Sequence, residues 1–300
     1  MSILKFGKQF QGDNLVFIVG SPRSGTTWLQ RLLASHPRIH TGQESDLFDV
    51  YIGPQLKAWH HDLDPKNSGR SAIGLACYFR EDEFLTLLRE YMLRLLEPMI
   101  GHLRLDEIFI EKTPSHAFFV SEILELLPNS RIIHMLRDPR DVIASLLAAS
   151  KSWGALWAPR HAISAAQFWV KHVNAVRQAS VKLARSQFYE LRYEDLYACT
   201  PETLEDICNF LGLVWDKRGI REAVEINRAE VAKSGGGTPI TIGGEFARIS
   251  GSFLNEPQGF VRRGCPGGWK EDLSLLDKLL VWIVIRLAME EIGYSWRFPW

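Results

Sequence analysis

The sequence predicts an α/β protein in which helices cover both faces of a central, mostly parallel β-sheet and a P-loop-like turn follows the first strand. Three observations lead to this prediction: apolar runs of strand length recur, helix-period segments separate them, and a glycine-bounded turn follows the first run. The chain has 300 residues, of which 46% are hydrophobic, and is expected to form a single domain over residues 1–300.

Four apolar runs are the predicted strands. They read "LVFIVG", "EIFIEKT", "RIIHMLRD" and "FYELRYED" and begin at residues 15, 107, 131 and 188. Helical periodicity is expected over 161–185, 201–211 and 271–292. Strands that alternate with helices favour a parallel sheet, whose strands end at one shared edge where ligands bind. The glycine-rich stretch 233–252 predicts a mobile loop.

Charge and cysteine content exclude several classes of protein. Lys plus Arg and Asp plus Glu each number 35, so no global field favours nucleic acid, and no nucleic-acid partner is expected. The four cysteines are scattered, which indicates reduced thiols, a cytoplasmic location and no metal site. The apolar run "LLVWIVIRLAM" is short and contains Arg286, so it predicts a buried helix and no transmembrane segment.

The turn after the first strand resembles a phosphate-binding loop without its lysine. Gly20 and Gly25 have the GxxxxGK[ST] spacing, but Thr26 follows the second glycine. Backbone N–H groups at a helix N-terminus can still bind an anion, and Arg23 supplies a cation within the turn. The missing lysine argues against a triphosphate with its magnesium. An ordinary tight turn is the alternative.

Two further clusters suggest anion binding. Arg137 ends a predicted strand, and Ser145 lies eight residues later, two turns into the next helix, so both could reach one phosphate. The turn at 262–264 adds two arginines beside a glycine. Alternatively, Arg137 pairs with a nearby aspartate and the arginine turn is a solvated surface. Three such clusters together suit a nucleotide with two separate phosphates.

Four segments, in order, resemble a known family. "SPRSGTTW", "RDPRDVIAS", "YEDL" and "RRG" with "GGWK" are similar to segments of the sulfotransferases that use 3′-phosphoadenosine 5′-phosphosulfate (PAPS), over about residues 15–270. The resemblance implies sulfonate transfer from PAPS, with adenosine 3′,5′-bisphosphate (PAP) as product. It also implies that the 5′-phosphosulfate is held by Arg23, Ser24, Gly25, Thr26 and Thr27, the 3′-phosphate by Arg137, Ser145, Arg262, Arg263 and Gly264, and the adenine by Trp28 and Tyr193.

The chemistry needs a base and positive charge at the leaving group. Arg23 and Lys112 are the candidates for stabilising the charge on the bridging oxygen. Glu44 and His116 are the candidate bases, and Glu44 is favoured because "PS" separates His116 from the Lys-Thr pair that a histidine follows directly in the cytosolic branch of the family. The expected acceptor is a hydroxyl or amine of a small, aromatic or lipid-like molecule. Segments 45–105 and 150–165 are expected to line its pocket.

Two other functions stay open on the sequence. A P-loop nucleotide-dependent kinase would need a lysine after Gly25 and an acidic strand end for magnesium. A nucleotide-sensing protein that has lost catalysis would keep the phosphate sites alone. The sequence does not define an oligomeric state.

Overall fold

Five parallel strands form one sheet in the order β2-β3-β1-β4-β5. The computed structural model describes residues 10–64, 66, 73–241, 251 and 256–294. The strands are β1 (Leu15–Gly20), β2 (Ile39–Thr41), β3 (Ile108–Lys112), β4 (Arg131–Leu136) and β5 (Phe188–Arg192). The four predicted strands and the parallel sheet are confirmed. The sequence did not indicate β2, because three residues are too few for a periodic pattern.

Helices flank this sheet on both sides, which confirms the predicted fold class. In the described ranges they are α1 (Thr26–Ala34), α2 (Gly53–Leu63), α3 (Glu81–Ile100), α4 (Val120–Leu126), α5 (Pro139–Ser150), α6 (Ala162–Ser180), α7 (Tyr193–Ala198), α8 (Thr200–Leu211), α9 (Lys217–Ile226), α10 (Ala229–Lys233), α11 (Trp269–Asp272) and α12 (Leu275–Glu291). A π-helix at Leu47–Ile52 and 3-10 helices at Gly74–Cys77 and Pro114–Phe118 complete the list.

The predicted helices match the structure with shifted ends. The first ends at Ser180, the second begins at Thr200, and the third is divided at Leu273 into α11 and α12. Of the predicted mobile loop 233–252, residues 242–250 and 252 lie outside the described residues.

Alternation along β1 explains why its sequence is uniformly apolar. Phe17 faces a core formed with α2, α3 and α4, whereas Val16 and Ile18 face a second core formed with α1, α8 and α9. A parallel strand covered on both faces has no solvent side, so every position in it is apolar. All six residues of β1 are buried.

The C-terminal helix α12 packs through one stripe. Val281, Ile285 and Met289 are fully buried against a third core formed with α5 and α6. On its other side Leu275 and Leu287 are exposed, so the predicted buried helix is half-buried. Along the described ranges, no helix combines the length and apolarity that a membrane span requires.

A buried polar network ties the end of β3 to the chain before α2. The carboxylate of Glu111 lies 2.8 Å from Nδ1 of His116 and accepts hydrogen bonds from Thr113 (2.6 Å) and Ser45 (2.8 Å). Nε2 of His116 accepts a hydrogen bond from the backbone N–H of Phe48 at 3.1 Å. Glu111 and His116 are 2% and 0% exposed, so each would be costly to bury without the other.

This network keeps Glu111 ionised. Burial by itself would raise the pKa of Glu111, but His116 and the hydroxyl donors outweigh it and lower the pKa to about 2. A depressed carboxyl pKa stabilises the folded state above the unfolded value of 4.5. That contribution is lost as the pH falls from 4.5 toward 2.

We therefore expect Glu111→Gln to lower the free energy of unfolding by about 3 kcal/mol at neutral pH, because it leaves His116 buried without its carboxylate. Urea unfolding followed by circular dichroism measures this. The difference between wild type and variant should shrink between pH 4.5 and 2. Glu202→Gln, at an exposed position on α8, is the control and should change little. Equal effects of the two substitutions would contradict the assignment.

Candidate active site

One cavity of about 970 Å³ lies at the carboxyl edge of the sheet. It is lined from the turn after β1, the end of β3, the segments after β4 and β5, and residues 256–268. The sequence-predicted residues that line it are Arg23, Gly25, Thr26, Thr27, Trp28, Glu44, Lys112, Arg137, Ser145, Tyr193, Arg262, Arg263 and Gly264. Ser24 and His116 are buried behind its wall.

The turn between β1 and α1 requires glycine at position 25. Its φ is +100°, and a Cβ there would lie 2.5 Å from the ring of Tyr193. Gly25 caps α1 without a side chain, so the first N–H groups of the helix have no side-chain acceptor. The hydroxyl of Ser24 is buried with no hydrogen-bond partner among the described residues. These donors form a site for an anion.

Arg23 crosses from this turn to the far side of the cavity. Its Nε donates to Ser145 Oγ at 3.0 Å, and its Nη2 donates to the carbonyl of Phe260. The guanidinium lies over the rings of Trp153 and Phe260, 5.0 and 4.6 Å from their centroids. Burial and the nearby Arg137 lower the pKa of Arg23 to about 10. Repulsion of this kind is relieved by a bound anion.

Arg137 lies against the same turn. Nη1 donates to the carbonyl of Arg23 at 3.3 Å, Nη2 donates to the carbonyl of Cys265 at 3.3 Å, and Nε is buried with no partner in the described part of the chain. The guanidinium stacks 4.1 Å from the ring centroid of Tyr193. The structure thus joins two motifs that are 114 residues apart in sequence.

The aspartates near Arg137 have other partners. Asp138 pairs with Arg140 at 2.6 Å, and its side chain caps α5. Asp141 accepts hydrogen bonds from the backbone N–H groups of Gly267 (2.7 Å) and Trp269 (2.9 Å). Asp141 therefore ties the backbone of residues 267–269 to α5, beside Arg137.

The arginine turn reaches the cavity with its charges partly compensated. Arg262 lies 2.5 Å from Asp272, yet its Nε is buried without a partner among the residues described. Arg263 pairs with Asp272 at 2.9 Å and with Glu271 at 2.8 Å. Arg262 thus retains a buried donor, whereas the Nη groups of Arg263 are engaged by these two carboxylates.

The two aromatic residues of the prediction are in contact. The rings of Trp28 and Tyr193 are 5.4 Å apart between centroids, and Tyr197 lies 6.3 Å from Tyr193. Nε1 of Trp28 donates to the carbonyl of Asn227 at 2.9 Å. Burial raises the pKa of Tyr193 to about 12, so the phenol is neutral at physiological pH. All four residues line the cavity.

The candidate bases lie in different environments. Glu44 contacts Nζ of Lys112, and both line the cavity; the Glu44 side chain is 39% exposed. His116 is fully buried, and both ring nitrogens are engaged, with Glu111 and with the N–H of Phe48. The hydrogen bond from Phe48 uses the lone pair of Nε2, so Nδ1 carries a proton and faces Glu111. Burial by itself would lower the pKa of His116, but the charge of Glu111 outweighs burial and raises the pKa.

Several lining residues were not predicted from the sequence. Glu256 lies 3.6 Å from Arg31, and burial raises its pKa. Phe118 and Phe168 flank His172, each at 4.4 Å between ring centroids. The i, i+4 spacing of Phe168 and His172 on a predicted helix is the signal that could have placed both on one wall.

The expected pocket segments contribute unequally. Trp153 and Trp157 line the cavity, as predicted for 150–165, whereas in the described part of 45–105 only Asp46 does. Within the ranges that the structure describes, no three His, Cys, Asp or Glu side chains group closely enough to hold a metal ion.

Comparison with known proteins extends these observations. The model of the Sulfotransferase family matches residues 15–217. Protein-tyrosine sulfotransferase 2 of Gallus gallus is 25% identical over 203 residues, which cover 67% of this chain and 52% of that protein. The chain also spans 27% of a matching protein of Aquifex aeolicus.

Two solved structures have the same fold over nearly the whole chain. A mouse sulfotransferase complexed with PAP has a TM-score of 0.59 at 13% identity and covers 98% of this chain and 94% of its own. The sulfotransferase domain of the Synechococcus PCC 7002 olefin synthase has a TM-score of 0.57 at 18% identity and covers 96% and 98%. Because the family model matches more than half of its residues, the chain belongs to the sulfotransferase family.

Proposed function

We propose that this enzyme transfers a sulfonate group from PAPS to a hydroxyl (or amine) of a small, aromatic or lipid-like acceptor and releases PAP. The observation that carries the proposal is the convergence of Arg23, Arg137 and Arg262 with the N-terminus of α1 on one cavity. PAPS carries anionic groups at two separate positions of one adenosine, and such a ligand needs two cationic subsites. The PAP-bound mouse structure supports this choice.

The subsite for the 3′-phosphate is assigned to the second group of residues. Arg137 and Arg262 each keep a buried Nε without a partner among the described residues, and Ser145 adds a hydroxyl. Arg263 and Gly264 complete this end of the cavity. Charge-assisted hydrogen bonds from guanidinium groups are the strong ones for phosphate.

The subsite for the 5′-phosphosulfate is assigned to the turn after β1. Ser24, Thr26 and Thr27 supply hydroxyls, and Gly25 lets the backbone approach the ligand closely. The adenine is assigned to Trp28 and Tyr193, whose rings meet at the edge of the cavity.

In the proposed reaction the acceptor oxygen attacks sulfur as Glu44 takes the hydroxyl proton. The new bond joins that oxygen to sulfur, the bond from sulfur to the 5′-phosphate oxygen breaks, and its electron pair stays on the leaving phosphate. Lys112 holds the carboxylate of Glu44 in place, and the cations of Lys112 and Arg23 stabilise the negative charge on the leaving oxygen.

Glu44 is the proposed base because it lines the cavity, whereas His116 does not. His116 is assigned a positioning role: through Glu111 and Phe48 it fixes the end of β3 relative to residues 45–48. A base must come within hydrogen-bond reach of the acceptor, and the buried ring has no free nitrogen to offer.

The acceptor is assigned to the aromatic side of the cavity. Trp153, Trp157, Phe118 and Phe168 line it, and burial lowers the pKa of His172 to about 4, so that residue adds no positive charge. Apolar walls with few charges suit an apolar body that presents a single nucleophile.

Donor binding is tested by titration calorimetry. Wild-type protein should bind PAP more tightly than ATP, and Arg137→Ala should weaken PAP binding by about 10- to 100-fold, because hydrogen bonds to a charged group are lost. Arg94→Ala, on the exposed side of α3, is the matched control and should bind PAP like wild type. A preference for ATP would favour a kinase and overturn the proposal.

The base is tested by sulfonate transfer from radiolabelled PAPS to a panel of alcohols and phenols. Glu44→Gln should reduce kcat by about 100-fold or more and leave PAP affinity nearly unchanged, because the proton acceptor is lost but the phosphate subsites are intact. Glu205→Gln, at an exposed site on α8, should keep full activity. Near-normal turnover of Glu44→Gln would refute this role.

A further inference from the structure

The loop that joins α5 to α6 carries an exposed apolar tip. This segment, residues 151–161, reads "KSWGALWAPRH". Leu156 is 101% exposed and Trp157 is 44% exposed. Ile163, two residues beyond the loop on the first turn of α6, is 41% exposed. Single exposed apolar residues are ordinary, but here three stand within eight positions.

The same segment is purely basic. Lys151 and Arg160 are exposed, and residues 151–163 contain no aspartate or glutamate. In the part of the chain that the structure describes, neither cation forms a salt bridge; Arg160 donates only to the carbonyl of Ala155, at 3.3 Å. The neutral charge of the whole chain therefore conceals a local positive surface around an apolar tip.

The loop is continuous with the cavity. Trp153 and Trp157 line the cavity, and their rings are 5.6 Å apart between centroids. Leu156 lies between them in sequence but points into solvent. The apolar tip thus stands beside the aromatic side of the cavity.

We propose that the 151–161 loop docks this protein on the surface of a bilayer that contains anionic lipids. Leu156 would enter the boundary between headgroups and acyl chains, Trp157 would lie at headgroup depth, and Lys151 and Arg160 would meet the lipid phosphates. A protruding tip needs no shaped complement, so a soft, anionic apolar layer fits it better than a folded protein partner. Docking requires neither PAPS nor catalysis, so it goes beyond the proposed function.

If the proposed function also holds, docking has a consequence for the acceptor. The aromatic side of the cavity would face the bilayer through Trp157. An amphiphilic alcohol could then pass from the bilayer into the cavity without crossing water.

Vesicle sedimentation tests the docking. The full chain is mixed with vesicles of phosphatidylcholine alone or of phosphatidylcholine with phosphatidylglycerol, and bound protein is measured. Binding should be stronger to the anionic vesicles and should fall as salt is added. Leu156→Asp should reduce binding by about tenfold or more, because it removes the inserted side chain.

Two matched controls use surfaces far from the loop. Leu105→Asp replaces another exposed leucine (81%), which precedes β3 at the opposite edge of the sheet. The pair Lys182→Glu and Arg185→Glu reverses two exposed cations beyond the far end of α6, roughly 27 Å from its first residue. Both should bind vesicles like wild type, whereas Lys151→Glu with Arg160→Glu should lose the preference for anionic vesicles.

Circular dichroism and PAP calorimetry of Leu156→Asp separate docking from folding and from the donor site, and both should match wild type. Absence of binding to either kind of vesicle would overturn the proposal, as would an equal loss in Leu105→Asp. If the loop binds a protein partner and not a bilayer, the wild-type protein will bind neither kind of vesicle. Weak PAP binding by wild-type protein would count against the proposed function alone.

Discussion

Positive charge held close together under burial is the constraint that organises this site. Arg23 is surrounded by Arg137 and Arg262, and burial together with Arg137 lowers the pKa of Arg23 to about 10. Buried charges of the same sign destabilise the folded protein unless neighbouring groups stabilise them. Part of this stabilisation comes from aromatic rings: Trp153 stacks on the guanidinium of Arg23, and Tyr193 stacks on that of Arg137. A ligand with two phosphates would supply the rest.

The sheet brings this charge together. β1 and β4 are neighbours, so the turn after β1 and the residues after β4 emerge side by side at one edge. Asp141 then anchors the backbone at Gly267 and Trp269, which brings the arginine turn to the same place. Three segments that are distant in sequence thereby meet without any long excursion of the chain.

The sequence was sufficient for features that depend on local pattern. Strand length and the Gly20 to Gly25 spacing are encoded within a few residues, and both are found in the structure. The partners of Arg263 were out of reach, because its pairing with Asp272 depends on how α11 packs. The position of His116 was likewise hidden, since burial against Phe48 results from tertiary packing.

The residues that line the rest of the cavity were likewise only partly predictable from the sequence. Aromatic density predicted the contribution of Trp153 and Trp157, yet Phe118 and Glu256 reach the cavity from segments with no distinctive composition. β2, with three residues, and α3, with twenty, were absent from the sequence-based prediction. β2 is too short for periodicity to detect. Leu88, Met92 and Leu96 of α3 are buried at the i, i+4 spacing of a helix, a signal that the prediction missed.

The hydrogen bond from Arg23 to Ser145 links the turn after β1 to α5, and so joins the two proposed phosphate subsites. Arg137 reinforces the link through the carbonyl of Arg23. In the proposed complex, a phosphate at either subsite would draw on donors of this shared hydrogen-bond network, so binding at the two subsites would be coupled. Free energies contributed by residues on opposite sides will not add, and a mononucleotide that fills one end will report only part of the interaction.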